Sequence, residues 1–384
     1  MVSLAGKTID VHVHVGLLGD AYPKWGTFSG HFQSGLEYRI FLLYGRMAAD
    51  QVCDRTLRET TERVISETAV DHVVCLALDP VYDSQGQRRE DLSHMWVDNE
   101  YVIDLKRNLG NKALFGASVH PYDPEFEDRV KYCVDHGAVL IKWLPSAQSI
   151  DLADARVAKA MAFLAHAGPT GKALPLLLHC GAEYAIPPAF PEEASRDFLS
   201  WSSWDSIRNW VRFGKRWVVP NIRAADAHIR DAVKQGAIII FAHCGLPYFA
   251  SGSLAQWFEH SDFDVVREYL SLNASLPPGS GRFYADVSAT CTPFRKRYFK
   301  DIQQLPAEFL LFGGDFPTPI FELSADLSEN FEDFKAVLAG ELERVLVPQD
   351  NLLDVNYREL FTAFPAHLMF TNFGNLCESL GISG

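Results

Sequence analysis

Thr8-Ile9-Asp10-Val11-His12-Val13-His14-Val15 is an apolar run in which every second residue is polar. Side chains alternate along a strand, so Asp10, His12 and His14 share one face and the valines the other. Burying two imidazoles and a carboxylate is costly unless something satisfies them. A divalent metal does so, because His-x-His presents two nitrogens on one side, near the strand's C-terminal end. The competing reading is a core histidine pair satisfied by its neighbours. In a closed barrel the valines would face the surrounding helices and the polar set the axis, which favours the metal.

Seven more strand-length runs follow, at Val73–Leu78, Leu114–Val119, Val139–Trp143, Pro175–His179, Ile238–His243, Phe283–Val287 and Phe309–Gly313. They are rich in Val, Ile, Leu and Phe, as strands buried on both faces are. Amphipathic stretches lie between them, clearest at Arg55–Ala69, Asn99–Leu109, Glu125–Asp135 and Leu152–Ala165. Gly137 and Gly168 stand where two helix C-caps would sit. Strands alternating with helices build a parallel sheet, and eight of them predict an α/β fold of the closed (β/α)8 TIM-type barrel. An open doubly wound sheet is the alternative, but no Gly-x-Gly-x-x-Gly follows the first strand to support it. The barrel is expected over about residues 8–317 of one domain, with C-terminal helices over about 318–384 that include Leu352–Phe364.

Two connections are too long for plain loops: Gly16–Asp54 after the first strand and Gly181–Gly236 after the fifth. The second carries a Pro-rich piece, Ile186–Pro191, and then Trp201, Trp204, Trp210 and Trp217. In a barrel both leave from the C-terminal mouth, where long ordered insertions serve as lids or pocket walls.

The 384-residue chain is 48% hydrophobic and 22% charged, which suits a large core and excludes a disordered or collagen-like chain. Its net charge of −14 repels phosphate backbones, so nucleic acid is not an expected partner. The short run Arg295-Lys296-Arg297 reads as a solvated face. No apolar stretch is long enough to span a membrane, and no basic segment followed by an apolar one marks a secretion signal. Cys53, Cys75, Cys133, Cys180, Cys244, Cys291 and Cys377 show no Cys-x-x-Cys spacing. That fits reduced thiols and a cytoplasmic location rather than a zinc ribbon or a disulfide framework.

Further chemistry-bearing residues close the apolar runs. His179 ends Leu176-Leu177-Leu178, and His243 ends Ile238-Ile239-Ile240-Phe241-Ala242; both precede Cys-Gly. This places two histidines at one height on strands five and six, and with His12 and His14 they gather four at one barrel end. Singly, each would read as a core histidine bonded to a carbonyl. Alternation turns Cys180 and Cys244 away from the histidines. Asp315 follows Leu310-Leu311-Phe312-Gly313-Gly314. It either caps a helix or holds a metal and takes the proton of a metal-bound water. Lys142 ends strand four as a salt-bridge partner or a site residue, and burial lowers a lysine's pKa towards a reactive amine. His120, ending strand three, lines the pocket or is structural. Arg39, Arg46, Arg223 and Arg295 are candidates for an anionic substrate. Trp25, Phe28, Trp143 and Trp204 are candidates for flat apolar walls. Solvated surface and core packing are the competing readings.

These residues resemble the amidohydrolase superfamily of metal-dependent (β/α)8 enzymes, over about residues 8–317. The motifs are Asp10-Val-His12-Val-His14, Lys142, His179 in Leu-Leu-Leu-His-Cys-Gly, His243 in Phe-Ala-His-Cys-Gly, and Asp315 in Phe-Gly-Gly-Asp-Phe-Pro-Thr-Pro. They are most similar to the amidohydrolase-related branch that includes aminocarboxymuconate-semialdehyde decarboxylase, as is the ending Asn356-Tyr-Arg-Glu-Leu-Phe361. The resemblance implies His12, His14, His179 and Asp315 as metal ligands, with His243 against a metal-bound water. A carboxylated Lys142 would instead bridge two metals, with His179 and His243 on the second. One zinc is favoured, and manganese is the alternative ion. Some decarboxylases of the branch carry Glu in place of the first histidine; this chain keeps His12.

The expected activity is a hydrolase that uses a metal-activated water on an amide, ester or lactone bond of a small-molecule substrate. Asp315, His243 and Lys142 are its expected catalytic residues. The alternative is a metal-dependent nonoxidative decarboxylase of a small aromatic or unsaturated carboxylic acid. A noncatalytic metal-binding barrel is a third reading, which the intact ligand set argues against. Related enzymes are often dimers, so a homodimer is expected by analogy.

Overall fold

The apolar runs pair side by side in chain order. They form β1 (Ile9–His14), β2 (His72–Leu76), β3 (Ala113–Ala117), β4 (Ala138–Trp143), β5 (Leu176–Leu178), β6 (Ile238–Phe241), β7 (Arg282–Asp286) and β8 (Leu310–Leu311). The computed structural model describes residues 2–44, 47, 50–180, 186–187, 222–246, 262–292, 295, 298–317, 350–365 and 367–384. Every neighbouring pair in this eight-stranded sheet is parallel. All six residues of β4 are buried, which is why its sequence shows no polar alternation.

The sheet closes on itself. Val11 N–H donates to Phe312 O (3.0 Å), Asp315 N–H to His12 O (2.7 Å) and His14 N–H to Phe316 O (2.9 Å). The architecture is therefore the (β/α)8 barrel, and these bonds rule out the open sheet.

Helices fill the crossovers: α1 (Asp54–Glu67), α2 (Asn99–Leu109), α3 (Phe126–Asp135), α4 (Ala155–Leu164), α5 (Asp226–Lys234) and α6 (Phe263–Leu272). α4 buries Val157, Ala160, Met161 and Leu164, the spacing of one helical stripe. Side-chain caps set the starts. Asp98 accepts from Glu100 N–H (3.0 Å) before α2, and Asp154 from Arg156 N–H (2.8 Å) before α4. The second cap explains why α4 begins three residues later than the sequence pattern suggests. Gly137 takes φ +80° just past α3, as a C-cap residue does. Gly168 is not a cap: α4 ends at Leu164, and Gly168 closes a later turn by donating to Lys172 O (2.7 Å).

The insertion after β1 carries a short strand, Gly26–Phe28, antiparallel to Met95–Val97. Val97 in turn bridges to Leu78, just past β2. The start of this insertion is tied to α1 by one buried carboxylate. Asp54 accepts from the N–H groups of Leu18 (2.5 Å), Gly19 (3.1 Å), Ala21 (2.8 Å) and Tyr22 (2.9 Å). Most of the insertion after β5, including Trp201, Trp204, Trp210 and Trp217, lies outside the described residues, as does 318–349.

Beyond the barrel come α7 (Leu352–Ala363) and α8 (Met369–Leu380). α7 is tied to α1, with Asn351 Nδ2 donating to Val64 O (2.7 Å). α8 crosses β1 and β8. Among the described residues no helix is long and apolar enough to cross a membrane.

β1 is not a regular strand. Asp10 pairs with Val73 but Val13 with Cys75, so β1 carries one residue more than β2 between those pairs. Such a bulge turns a backbone N–H out of the ladder. Asp10 Oδ1 accepts that group, His12 N–H (3.0 Å), together with Gly314 N–H (2.8 Å) from the end of β8. Asn356 of α7 donates to Gly313 O (3.4 Å) on the other side of the same glycine pair. A Cβ at Gly314 would lie 2.5 Å from Asp10 Oδ2 and 3.1 Å from Asn356 Nδ2. Gly314→Ala should therefore cost about 1–3 kcal/mol of stability, seen as a lower urea midpoint at unchanged slope. An unchanged midpoint would show that the seam has room to spare.

Candidate metal centre

The C-terminal strand ends bring the polar residues together through tight, left-handed turns. His243 (φ 56°) and Cys244 (φ 52°) follow β6, Ala289 (φ 54°) follows β7, and Asp315 (φ 59°) follows β8. Non-glycine residues rarely adopt such angles, at a cost of order 1–3 kcal/mol each, and they gather at functional sites. His243 therefore owes its direction to a turn and not to strand alternation. Cys180 and Cys244 are nonetheless turned away as expected, donating to Ala242 O (3.3 Å) and Asp286 O (3.2 Å) within the core.

His12 Nε2, His14 Nε2 and Asp315 Oδ1 form a triangle. The nitrogens are 3.2 Å apart, and the oxygen lies 3.4 Å from His12 and 3.3 Å from His14. A tetrahedral zinc with donors at about 2.0–2.1 Å spaces those donors by about 3.3–3.4 Å. The three atoms thus stand as ligands of one cation do. Lys142 Nζ approaches the same corner, 3.0 Å from His12 Nε2. His243 borders it, with Nδ1 4.0 Å from Asp315 Oδ2 and its ring stacked on His12 at 4.9 Å. His12, His243 and Asp315 also each offer a donor atom within 4.8 Å of the others. The His179 ring stands edge-on to His243 at 5.1 Å. Every metal-site residue expected from the sequence therefore reaches this end of the barrel.

Charge and burial suit a cation. Burial holds the His243 imidazole down to about 3, although Asp315 pulls it up. Burial, with Lys142 nearby, also lowers His12, and burial with His243 nearby lowers His179. These rings are neutral, with a lone pair to offer. Burial alone would raise Asp315, but His243, His12 and His14 hold it well below the ordinary carboxylate range. Neutral imidazoles and an ionised carboxylate are the protonation states that metal binding requires.

Sequence reasoning missed Asp286 and Ser288. Asp286 is fully buried at the end of β7, and its Oδ2 accepts from His12 Nδ1 (3.0 Å). A carboxylate on the far nitrogen of a ligating histidine fixes the ring's tautomer and direction. The rule that picked out His179, a polar residue ending an apolar run, applies equally to Asp286 in Phe283–Val287.

Some other candidates are structural. Asp10 shares its strand with the histidines but is spent on backbone groups at the seam. Burial raises its pKa to about 7 against the two N–H bonds. Trp143 and Phe28 are core residues, Trp143 donating to Val119 O (2.8 Å). Trp25 packs against Tyr22 and Tyr101, and Trp204 lies outside the described residues. Arg39 and Arg223 are exposed, and Arg46 lies outside the described residues. Arg295 is not on a solvated face. It is buried, and Nη2 donates to Leu246 O (3.3 Å) beyond β6. Lys296 and Arg297 lie outside the described residues.

No protein-family model and no curated protein matches the chain. Among solved structures it is similar to the IDCase of Metarhizium anisopliae in apo form, at 14% identity over 98% of this chain and 97% of that one, with a TM-score of 0.49. It is also similar to an amidohydrolase from Burkholderia multivorans with bound zinc, at 12% identity over 93% and 99%, TM-score 0.45. The 2,6-dihydroxybenzoate decarboxylase from Rhizobium matches at 12% identity over 93% and 99%, TM-score 0.41. What the site can do chemically rests on its own geometry.

His120 proves structural. Nε2 donates to Gln148 O (2.8 Å), Nδ1 accepts from Tyr122 N–H (3.1 Å), and the ring stacks on Tyr82. Burial, outweighing the Gln148 bond, lowers its pKa to about 3. An unfolded chain takes up that proton near pH 6.5. The contribution is therefore complete above pH 6.5 and drains away as pH falls towards 3, by on the order of 5 kcal/mol. Urea melts between pH 7 and 4 should show a shallower loss for His120→Gln than for the wild type. Equal slopes would contradict the assignment.

Proposed function

We propose that this chain is a metal-dependent hydrolase of the amidohydrolase type, which cleaves an amide, ester or lactone bond of a small molecule with an activated water. The triangle of His12, His14 and Asp315 carries this reading. It combines zinc-like donor spacing, a neutral His12 ring and an ionised carboxylate at the mouth of a barrel, where such folds place their chemistry. His12, His14 and Asp315 would hold one zinc ion, with His179 completing the set. A single ion is proposed because the triangle is complete without a carboxylated Lys142; manganese would suit the same donors less well than zinc.

A divalent ion there supplies Lewis acidity to a water and to a carbonyl oxygen. The chain's own groups do the rest. Asp315 takes the water's proton on Oδ2, the oxygen turned towards His243, and returns it to the leaving group. Lys142 acts on the oxygen that gains negative charge, from its place beside His12. His243 lines the space where water and carbonyl meet. The buried strand ends exclude bulk water, which strengthens each of these interactions. The substrate is proposed to be a small molecule, the protein a homodimer, and its location cytoplasmic.

Dialysis against a chelator should abolish turnover, and added zinc should restore it. Asp315→Asn should fold normally yet lose about 10²–10⁴ in kcat, and His12→Ala should lose bound zinc by elemental analysis. The zinc-loaded protein should hydrolyse members of a panel of lactones, aryl esters and amides. Release of CO₂ from 2-hydroxybenzoate-type acids without any hydrolysis would overturn the reading in favour of a decarboxylase.

A further inference from the structure

We infer that Ser288 and Asp286, at the end of β7, hold both His12 and His243 as Nδ1–H tautomers. His243 Nε2 is then bare, a hydrogen-bond acceptor that cannot donate to a substrate's carbonyl oxygen. The consequence for a carbonyl oxygen rests on the function proposed above; the tautomers do not.

The deduction follows the protons. Asp286 Oδ1 accepts from His243 N–H (2.9 Å) and Ser288 N–H (3.0 Å), groups that can only donate. The same oxygen takes the Ser288 hydroxyl, and Oδ2 takes His12 Nδ1. A carboxylate surrounded by donors is ionised and acceptor-only. The one proton of the Ser288 hydroxyl is therefore given to Asp286. Only lone pairs remain on Oγ for the two ring nitrogens that face it, His243 Nδ1 at 2.8 Å and His12 Nδ1 at 3.1 Å. Both nitrogens must carry hydrogen. His243 Nδ1 also lies 3.4 Å from Ser288 O, an acceptor only, a longer contact that agrees with the same tautomer without fixing it.

A neutral imidazole has one N–H. With Nδ1 protonated, Nε2 of each ring is left with its lone pair. For His12 that nitrogen is the corner of the donor triangle. For His243 the same assignment removes one role, that of an Nε2–H donor to an oxyanion. Two stacked rings are thus set by one hydroxyl and one carboxylate on a strand that supplies no donor of its own to the triangle. Ser288 and Asp286 are positioning residues.

The test begins with metal-free, full-length protein carrying ¹⁵N-labelled histidine rings, observed at neutral pH by long-range ¹H–¹⁵N correlation. His12→Gln and His243→Gln assign the signals. Both rings should show the Nδ1–H pattern. Ser288→Ala should release His243 towards the Nε2–H form while Asp286 keeps His12 unchanged, and Ser288→Thr should restore the wild-type pattern. Asp286→Asn should weaken zinc binding about 10–100-fold, read by competition with a chelating dye. A wild-type His243 in the Nε2–H form, or a pattern indifferent to Ser288→Ala, would overturn the inference. Correct tautomers in a protein that turns over no substrate of the panel would sink the proposed function alone.

Discussion

His12 is the joint at which closure of the barrel and its chemistry meet. Its carbonyl accepts Asp315 N–H from the last strand (2.7 Å), and its own N–H is taken by Asp10. Its ring binds Asp286 through Nδ1 and faces His14, Asp315 and Lys142 through Nε2. The bond that shuts the sheet therefore also places the carboxylate opposite the imidazole. A barrel closed in another register would separate the donors, since a one-residue slip reverses every side chain. Fold and site share one geometric constraint.

The constraint is expensive. Left-handed turns at His243, Ala289 and Asp315 and ionised carboxylates at the buried Asp286 and the partly buried Asp315 all oppose folding. Each is offset locally. Asp286 is wrapped in hydrogen-bond donors, Asp315 is surrounded by imidazoles, and the glycines before Asp315 let Asp10 and Asn356 close around the backbone. A cation joining the triangle would relieve what remains, so ion binding and stability are linked at this end of the barrel.

The sequence made much of this legible. Eight apolar runs located the strands because burial on both faces suppresses polar residues, and His-x-His, His179, His243 and Asp315 stood out as polar residues where apolar ones belong. Asp286 obeyed the same rule but had no partner motif to draw attention to it, and Ser288 looks like any loop serine. Asp10 was read with the histidines because alternation cannot foresee a bulge. Arg295 sits in a basic run that resembles solvated surface, and only the fold shows it turned inward beneath Leu246. Gly168 mimicked a cap because spacing alone does not reveal that α4 stops at Leu164.

The carboxylate of Asp54 has a bearing on ligand recognition. By gathering the amides of Leu18, Gly19, Ala21 and Tyr22, it makes the segment just past His14 part of the folded body. The ordering entropy of that segment is spent during folding, so a ligand arriving beside it meets a rim already in shape. Affinity on that side should then track how well a molecule's outline matches the rim, with little penalty for freezing the protein.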